Sequence, residues 1–330
     1  MDNEHLNVPR AHFSAPEIAS AAPPSPYHRI WVNLLLFGVT ILTTMMAGAA
    51  NLGYYWDSIK ADYWLLLKGW EYSFALLLIL TFHEFGHYLA ARYHRMNVTL
   101  PYYIPVPIPN LFHFGTMGAF IRLKSPIPDR KVLMDVAVAG PLAGFVVSLV
   151  FLFYGYAAIP DLQTVIAHVE TIHPWPGAIS DTPAFTLGNS ALFYFFNQVI
   201  GQGMIPMSEI YHFPYIFAGW IGLFITALNL IPIGQLDGGH VVYALLGNRA
   251  RYLNYAAFGS LAALTAFLLT TQGQLGIMWI PWMIILTLIG LRHPPTLYDS
   301  IPLSGERRYL GWLCIVIFVL CFIPLPFYFG

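Results

Sequence analysis

The chain has 330 residues, of which 57% are hydrophobic and only 9% are charged, and its formal net charge is −1. Typical soluble domains carry about 25% charged residues, so this composition excludes a soluble globular protein and predicts an integral membrane protein. Because a near-neutral chain offers no extended basic surface, we expect the lipid bilayer as a partner and no nucleic acid.

Residues 1–28 combine charged residues with five prolines and contain no apolar run. A cleavable signal needs such a run, so this segment is not typical of one. We expect a disordered cytoplasmic tail over 1–28 and a polytopic membrane domain over 29–330.

Seven apolar runs are long enough, or nearly so, to cross the roughly 30 Å hydrocarbon core of a bilayer. They lie near 31–53, 71–93, 132–157, 212–233, 253–271, 276–291 and 309–328. The predicted fold is therefore α-helical and membrane-integral, with about seven transmembrane helices. A further run, 184–200, is interrupted by glycine and polar residues. We interpret it as an interfacial or pocket-covering helix, with an eighth span as the alternative.

The positions of Lys and Arg indicate the orientation of these spans. If the amino terminus is cytoplasmic, all of the 15 basic residues except Lys60 and Lys68 fall on the cytoplasmic side. The loop 158–211 contains acidic residues but no Lys or Arg. We therefore expect a multi-pass protein of a bacterial cytoplasmic membrane, with a cytoplasmic amino terminus and this loop outside.

The second span contains an HE-x-x-H motif formed by His83, Glu84 and His87. Residues four apart lie on the same face of a helix, so both imidazoles can reach one metal ion while Glu84 acts on water. An acidic residue at the centre of a span costs about 2.5 to 3.5 kcal/mol, so such residues are usually functional. The alternative is a histidine pair bonded to neighbouring helices, with Glu84 facing a wet cavity.

Two segments follow the motif before the third span. Four prolines in 101–109 exclude a helix there. Residues 115–124 alternate apolar and polar side chains at Ile121-Arg122-Leu123-Lys124, which predicts a short β-hairpin at the membrane edge. An ordinary surface loop is the alternative.

Small and helix-breaking residues mark the third and fourth spans. The spacing of Gly140 and Gly144 indicates close helix packing, which against the second span would suit the site. Pro232 and Gly234 should end the fourth span, and Gly238-Gly239 would allow a sharp turn beside Asp237. Asp237 is therefore a candidate metal ligand, and a helix cap is the alternative.

Hydrolytic zinc sites use three His, Asp or Glu ligands and leave one position for water. His83, His87 and Asp237 supply such a set. The HE-x-x-H motif inside a span, followed two spans later by N-x-x-P-x-x-x-L-D-G at 229–238, resembles the site-2 protease family of intramembrane zinc metalloproteases.

This resemblance implies one Zn²⁺ per chain, held by those three residues, with Glu84 as the catalytic base. It also implies that 29–330 is a polytopic membrane protease domain whose catalytic core covers about 71–250. The positions that would contact substrate are Asn229 in the second motif and, in the segment that resembles the family's membrane-edge hairpin, Gly115, Gly118 and Ile121.

The function implied is regulated intramembrane proteolysis of transmembrane protein substrates. Many relatives in the family carry a PDZ domain, but only about 55 residues separate spans three and four here, so we expect none. We also expect no nucleotide-binding regulatory domain after the last span. The alternative function is a transporter or channel that uses the same residues as a metal or proton pathway.

Other histidines have more ordinary interpretations. His94, His113 and His293 lie near cytoplasmic loops, where single histidines are usually solvated. His240 could support Asp237 from outside the ligand set.

Overall fold

The computed structural model describes residues 30–106, 114–173 and 185–329. The predicted tail at 1–28 and the loop residue His113 lie outside the described residues. The helices of the described part are α1 (Ile30–Asn51), α2 (Trp56–Ala61), α3 (Trp70–Tyr93), α4 (Arg130–Ala157), α5 (Leu162–Glu170), α6 (Ala191–Phe195), α7 (Pro214–Asn229), α8 (Asp237–Leu246), α9 (Ala250–Thr271), α10 (Trp279–Ile289) and α11 (Gly305–Cys321).

Two small antiparallel sheets accompany the helices. The strands are β1 (Tyr102–Pro105), β2 (Thr116–Phe120), β3 (Phe185–Leu187) and β4 (Phe327–Phe329). β1 pairs with β2, with Tyr102 opposite Phe120, and β3 pairs with β4. A strand is present within 115–124, as β2, so the surface-loop alternative is wrong, but it ends before the alternating residues 121–124 on which the prediction rested. Its partner in the hairpin is β1, which comes from the proline-rich segment.

Four helical segments of the described chain are long and apolar enough to cross a membrane, so the protein is membrane-integral, but seven full-length spans are not confirmed. These segments are Ile30–Asn51, Tyr63–Tyr93, Arg130–Ala157 and Asp237–Thr271. The exposure pattern of α3 is the reverse of that in a soluble protein, as expected for a helix surrounded by lipid. The apolar side chains of Phe82 and Phe85 are exposed, while the histidines beside them are buried.

The predicted fourth, sixth and seventh spans are shorter helices, each ended by backbone that the sequence marks. α7 stops at Asn229, before Pro232 and a left-handed Gly234 with φ +57°. α10 stops at Gly290, with φ +100°, and α11 stops before Pro324. Proline removes a helical hydrogen bond and glycine tolerates positive φ, so these residues break each apolar run before it reaches full length.

The apolar run at 184–200 is not a transmembrane helix. It forms β3, the short α6 and one turn of π-helix, Phe196–Ile200. The helical part, Ala191–Ile200, has ten residues and reaches only about 15 Å, which is too short to cross a bilayer. This part packs against α4 and α11 rather than over the polar cavity described below.

Helices α3, α4 and α7 form the centre of the bundle. Glycines of α7 allow this helix to approach α4 closely. A Cβ at Gly219 would clash with Leu152, and one at Gly222 would clash with Ser148. Close backbone approach of this kind drives helix association in membranes. α4 and α7 therefore form one closely packed surface, and the face of α3 that carries the histidines lies against it.

The orientation of the bundle can be tested with single engineered cysteines. The native residues Cys314 and Cys321 are buried and should react slowly. We expect a membrane-impermeant maleimide, applied to sealed vesicles of one orientation, to label Lys124→Cys and Gln163→Cys from opposite sides, because both positions are exposed and the basic-residue pattern separates them. Labelling of both from the same side would contradict the predicted topology.

Candidate metal centre

Helix α3 brings the two histidines of the HE-x-x-H motif together. His83 and His87 are one turn apart, and their Nε2 atoms lie 3.2 Å from each other. Both side chains are buried. This arrangement follows directly from the helical period, which places residues four apart on the same face.

Two glycines of α4 make room for these imidazoles. A Cβ at Gly140 would clash with the His87 ring, and a Cβ at Gly144 would lie 3.1 Å from His83 Cβ. Gly86 on α3 is equally restricted, because a Cβ there would clash with the backbone carbonyl of Ala139. The packing of Gly140 and Gly144 against the second predicted span is confirmed, and its purpose is to admit the histidine rings.

Asp237 completes the group from the first turn of α8. Its Oδ2 lies 3.2 Å from His87 Nε2 and 3.5 Å from His83 Nε2. The helix-cap alternative is wrong, because Leu236 occupies the cap position and no side chain caps the helix there. Instead, the carboxylate points away from its own helix toward the two imidazoles.

The turn that aims Asp237 differs from the expected one. Gly234, with φ +57°, makes the left-handed turn, whereas Gly238 and Gly239 lie inside α8. A Cβ at Gly238 would clash with the carbonyl of Leu230, and one at Gly239 with the carbonyl of Gly234. These two glycines therefore serve close backbone approach rather than a sharp turn.

The donor set fits a zinc ion. The donor atoms of His83, His87 and Asp237 lie within 4.8 Å of one another. His87 Nδ1 lies 2.8 Å from the carbonyl oxygen of Val136, and because a carbonyl only accepts, Nδ1 carries the proton. In its neutral form, His87 then presents the lone pair of Nε2 to the centre of the group, which is the usual arrangement of a metal-binding histidine. Two imidazoles and a carboxylate are ligands that zinc prefers.

Glu84 borders the same space without joining the donor group. Its side chain is 5% exposed, and the backbone N–H of Ile121, just beyond β2, interacts with its carboxylate. A cavity of about 240 Å³ opens beside it. The lining of this cavity includes His83, Glu84, His87, Ala119, Phe120, Ile121, Asn229, Gln235, Asp237 and His240. Glu84 is thus placed to act on a water molecule in the cavity.

The residues expected to contact substrate divide into two groups. Asn229, the last residue of α7, lies in the cavity with its Nδ2 3.3 Å from His83 Nε2. Ile121 also lines the cavity, whereas Gly115 and Gly118 do not. Gly115, with φ +73°, packs against the backbone of Thr43 on α1, and Gly118 has a φ of +98°. In this structure both glycines shape the hairpin.

Two histidines interpreted as solvated have partners. His94 Nε2 lies 2.9 Å from Asp135 Oδ2. His293 Nε2 lies 2.6 Å from His240 Nδ1, and its ring stacks on Tyr243. Burial lowers the pKa of His293, which keeps the ring neutral and able to accept a hydrogen bond. In the described part of the chain, His240 therefore bonds to His293 rather than to Asp237. No local spacing signals this pairing, because 53 residues separate the two.

The sequence profile of Peptidase family M50 matches residues 71–271, which include all four residues of the HE-x-x-H and Asp237 group. This chain belongs to peptidase family M50. The site-2 protease resemblance is confirmed, and the chain carries a membrane-embedded metallopeptidase domain of that family.

Plant proteins are among the similar sequences. The chain is 29% identical over 329 residues to the "Probable zinc metalloprotease EGY1, chloroplastic" of Oryza sativa subsp. japonica, covering 94% of this chain and 52% of that protein. The Arabidopsis thaliana protein of the same name is 29% identical over 262 residues, or 76% of this chain and 42% of that protein. "Probable zinc metalloprotease EGY2, chloroplastic" of Arabidopsis thaliana is 26% identical over 267 residues, or 80% and 43%.

The chain spans about half, or less, of the length of these M50 relatives. Their names describe them as zinc metalloproteases and as chloroplastic, so they give no support to the bacterial cytoplasmic membrane expected from the sequence. No solved structure matches the chain significantly.

The fit between α3 and α4 yields a test of the centre. We expect Gly140→Ala to displace His87 and lower the zinc bound at this centre, because the added methyl group must occupy the space of the ring. Overpacking of this kind costs about 1 to 3 kcal/mol. The measurement is metal content of purified protein by mass spectrometry. Gly259→Ala on α9 is the control, since a Cβ there meets nothing within 4 Å. Wild-type metal content in Gly140→Ala would contradict this packing argument.

Proposed function

We propose that this M50 chain is an intramembrane zinc metalloprotease that hydrolyses peptide bonds within or near transmembrane segments of membrane-protein substrates. The observation that carries the proposal is the convergence of Asp237 from α8 with His83 and His87 of α3, which also carries Glu84 and is part of a helical segment long and apolar enough to span a membrane. Regulated intramembrane proteolysis is the process that such an activity would serve.

The chemistry divides between the metal ligands and Glu84. His83, His87 and Asp237 would hold the zinc ion, which when bound supplies Lewis acidity and makes water a better nucleophile. Glu84 is placed to accept a proton from the attacking water and to return it to the amine that leaves. The buried position of Glu84 keeps bulk water from competing for that proton.

The hairpin and Asn229 are placed to hold the substrate. A peptide bond inside a helix is protected by its own hydrogen bonds, so the substrate must unwind locally before attack. Within the described residues, β2 pairs with β1 along one edge only, and Ala119, Phe120 and Ile121 line the cavity. The unwound peptide could add to this sheet as a further strand. The Asn229 amide would then bond the substrate backbone.

Glu84→Gln separates catalysis from metal binding. The amide keeps the shape of the side chain but cannot accept a proton, so we expect wild-type metal content and a loss of cleavage of at least about 10² to 10⁴-fold. His87→Ala and Asp237→Ala should lose both the metal of this centre and cleavage. The measurements are metal content and cleavage of a transmembrane substrate in liposomes.

The control for this experiment is Glu306→Gln, which makes the same change at an exposed position of α11. It should cleave normally. Full proteolysis by Glu84→Gln, or wild-type protein that binds no divalent metal, would refute the proposal. A transporter would show altered ion flux in Glu84→Gln and no proteolysis in the wild type.

The hairpin can be tested at Ile121. Ile121→Pro removes the backbone N–H that interacts with Glu84 and disfavours strand pairing, so cleavage should fall at least tenfold while metal content stays normal. Ile121→Ala is the matched control, because it shortens the side chain but keeps the N–H. Equal cleavage by the two variants would show that the backbone of this segment does not handle substrate.

A further inference from the structure

A second group of metal-binding side chains lies outside the catalytic cavity. His173, Glu209 and His212 place their donor atoms within 4.8 Å of one another. His173 Nε2 lies 2.7 Å from His212 Nε2 and 3.0 Å from Glu209 Oε2, and His212 Nε2 lies 3.5 Å from the same oxygen. Two donors of one tetrahedral zinc ion, each bound at about 2.1 Å, lie roughly 3.4 Å apart, which is close to these distances.

His212 is fixed so that its Nε2 faces this group. Its Nδ1 contacts the backbone carbonyl of Asn51, the last residue of α1, and must donate there because a carbonyl only accepts. Its own carbonyl oxygen lies 2.9 Å from His168 Nε2 on α5. The neutral ring therefore presents the Nε2 lone pair to His173 and Glu209, as a metal-binding histidine does.

While His212 is neutral and Glu209 is ionised, hydrogen bonds within the group cannot satisfy all three donor atoms. A single N–H on His173 can serve either His212 Nε2 or Glu209 Oε2, but not both. Glu209 is 2% exposed, and its Oε2 lies between the two imidazoles, 3.0 Å from His173 Nε2 and 3.5 Å from His212 Nε2. Its Oε1 lies 3.0 Å from Ser208 Oγ. A buried carboxylate charge is costly unless it is compensated, and a cation between the three atoms would compensate it and satisfy all three donors at once.

We propose that His173, Glu209 and His212 form a second metal site for zinc or a similar divalent transition-metal ion. Imidazole nitrogens favour such ions over calcium and magnesium, which prefer oxygen ligands. The His173 side chain is 35% exposed, so an ion can enter from solvent. The expected metal content of the full chain rises from one ion to two.

The second site lies at the opposite end of the bundle from the catalytic centre. It joins the end of α1 at Asn51, the segment after α5 and the residues just before α7. His83 is 13 residues from the start of α3, which packs beside the end of α1, so the two groups are separated by roughly 20 Å along the helix axis. An ion there would cross-link His173 to the segment 209–212 and stabilise this end of the protein.

Metal content in a background without the catalytic centre provides the test. We expect tag-free wild-type protein, purified in detergent and reconstituted with zinc, to bind two ions per chain, Asp237→Ala to bind one, and Asp237→Ala with His173→Ala to bind none. X-ray absorption of Asp237→Ala should show only nitrogen and oxygen ligands. His94→Ala in the same background is the control, because His94 is a distant histidine bonded to Asp135.

The proposal does not depend on proteolysis, so the two can fail separately. Glu209→Gln, which keeps the catalytic residues intact, should lose one ion of two and still cleave substrate. If the His173 variant does not fold, Asp237→Ala alone decides, because it leaves the second group unchanged. An Asp237→Ala protein that binds no ion, or one ion that survives the added His173→Ala, would overturn the proposal in favour of a hydrogen-bonded cluster.

Discussion

The structure depends on placing two buried imidazoles, the buried carboxylate of Glu84 and the partly buried carboxylate of Asp237 within an apolar helical bundle. Polar groups in such surroundings are costly unless each has a partner, and a lone buried charge is the most costly case. His83, His87 and Asp237 meet this requirement by converging on one point that suits a cation. Gly140 and Gly144 provide the space that the two imidazole rings need, so α4 can pack closely against α3 without displacing the rings.

The same requirement accounts for the short helices α7 and α8. Asp237 can reach the histidines only if the chain leaves its helix at membrane depth, reverses and starts another. Irregular backbone is tolerated there when protein covers it. Residues 230–236 meet that condition, because Gly238 and Gly239 allow the carbonyls of this connection to pack directly against α8. Hydropathy alone predicts that the fourth span continues to residue 233, whereas α7 ends at Asn229 and a seven-residue connection follows it.

The sequence predicts the grouping of His83, His87 and Asp237 better than it predicts the lengths of the helices around them. The helical period fixes the relation of His83 to His87, and the two motifs together indicate Asp237. Hydropathy cannot distinguish a full span from a short apolar helix, so it overestimates the lengths of α7, α10 and α11. The β1 partner of the hairpin is hidden by the prolines around it. Two further contacts join residues that are far apart in the sequence, so no local motif predicts them. They are the pairing of His240 with His293 and the contact of His173 with Glu209 and His212.

The two polar groups are joined by stiff elements. α7 begins two residues after His212 and ends at Asn229 in the cavity beside Glu84. α1 ends at Asn51, which accepts a hydrogen bond from His212, and at its other end Asn33 donates to the carbonyls of Leu100 and Pro101, just before β1. α1 and α7 therefore connect the group of His173, Glu209 and His212 with β1 and with Asn229 at the cavity beside Glu84.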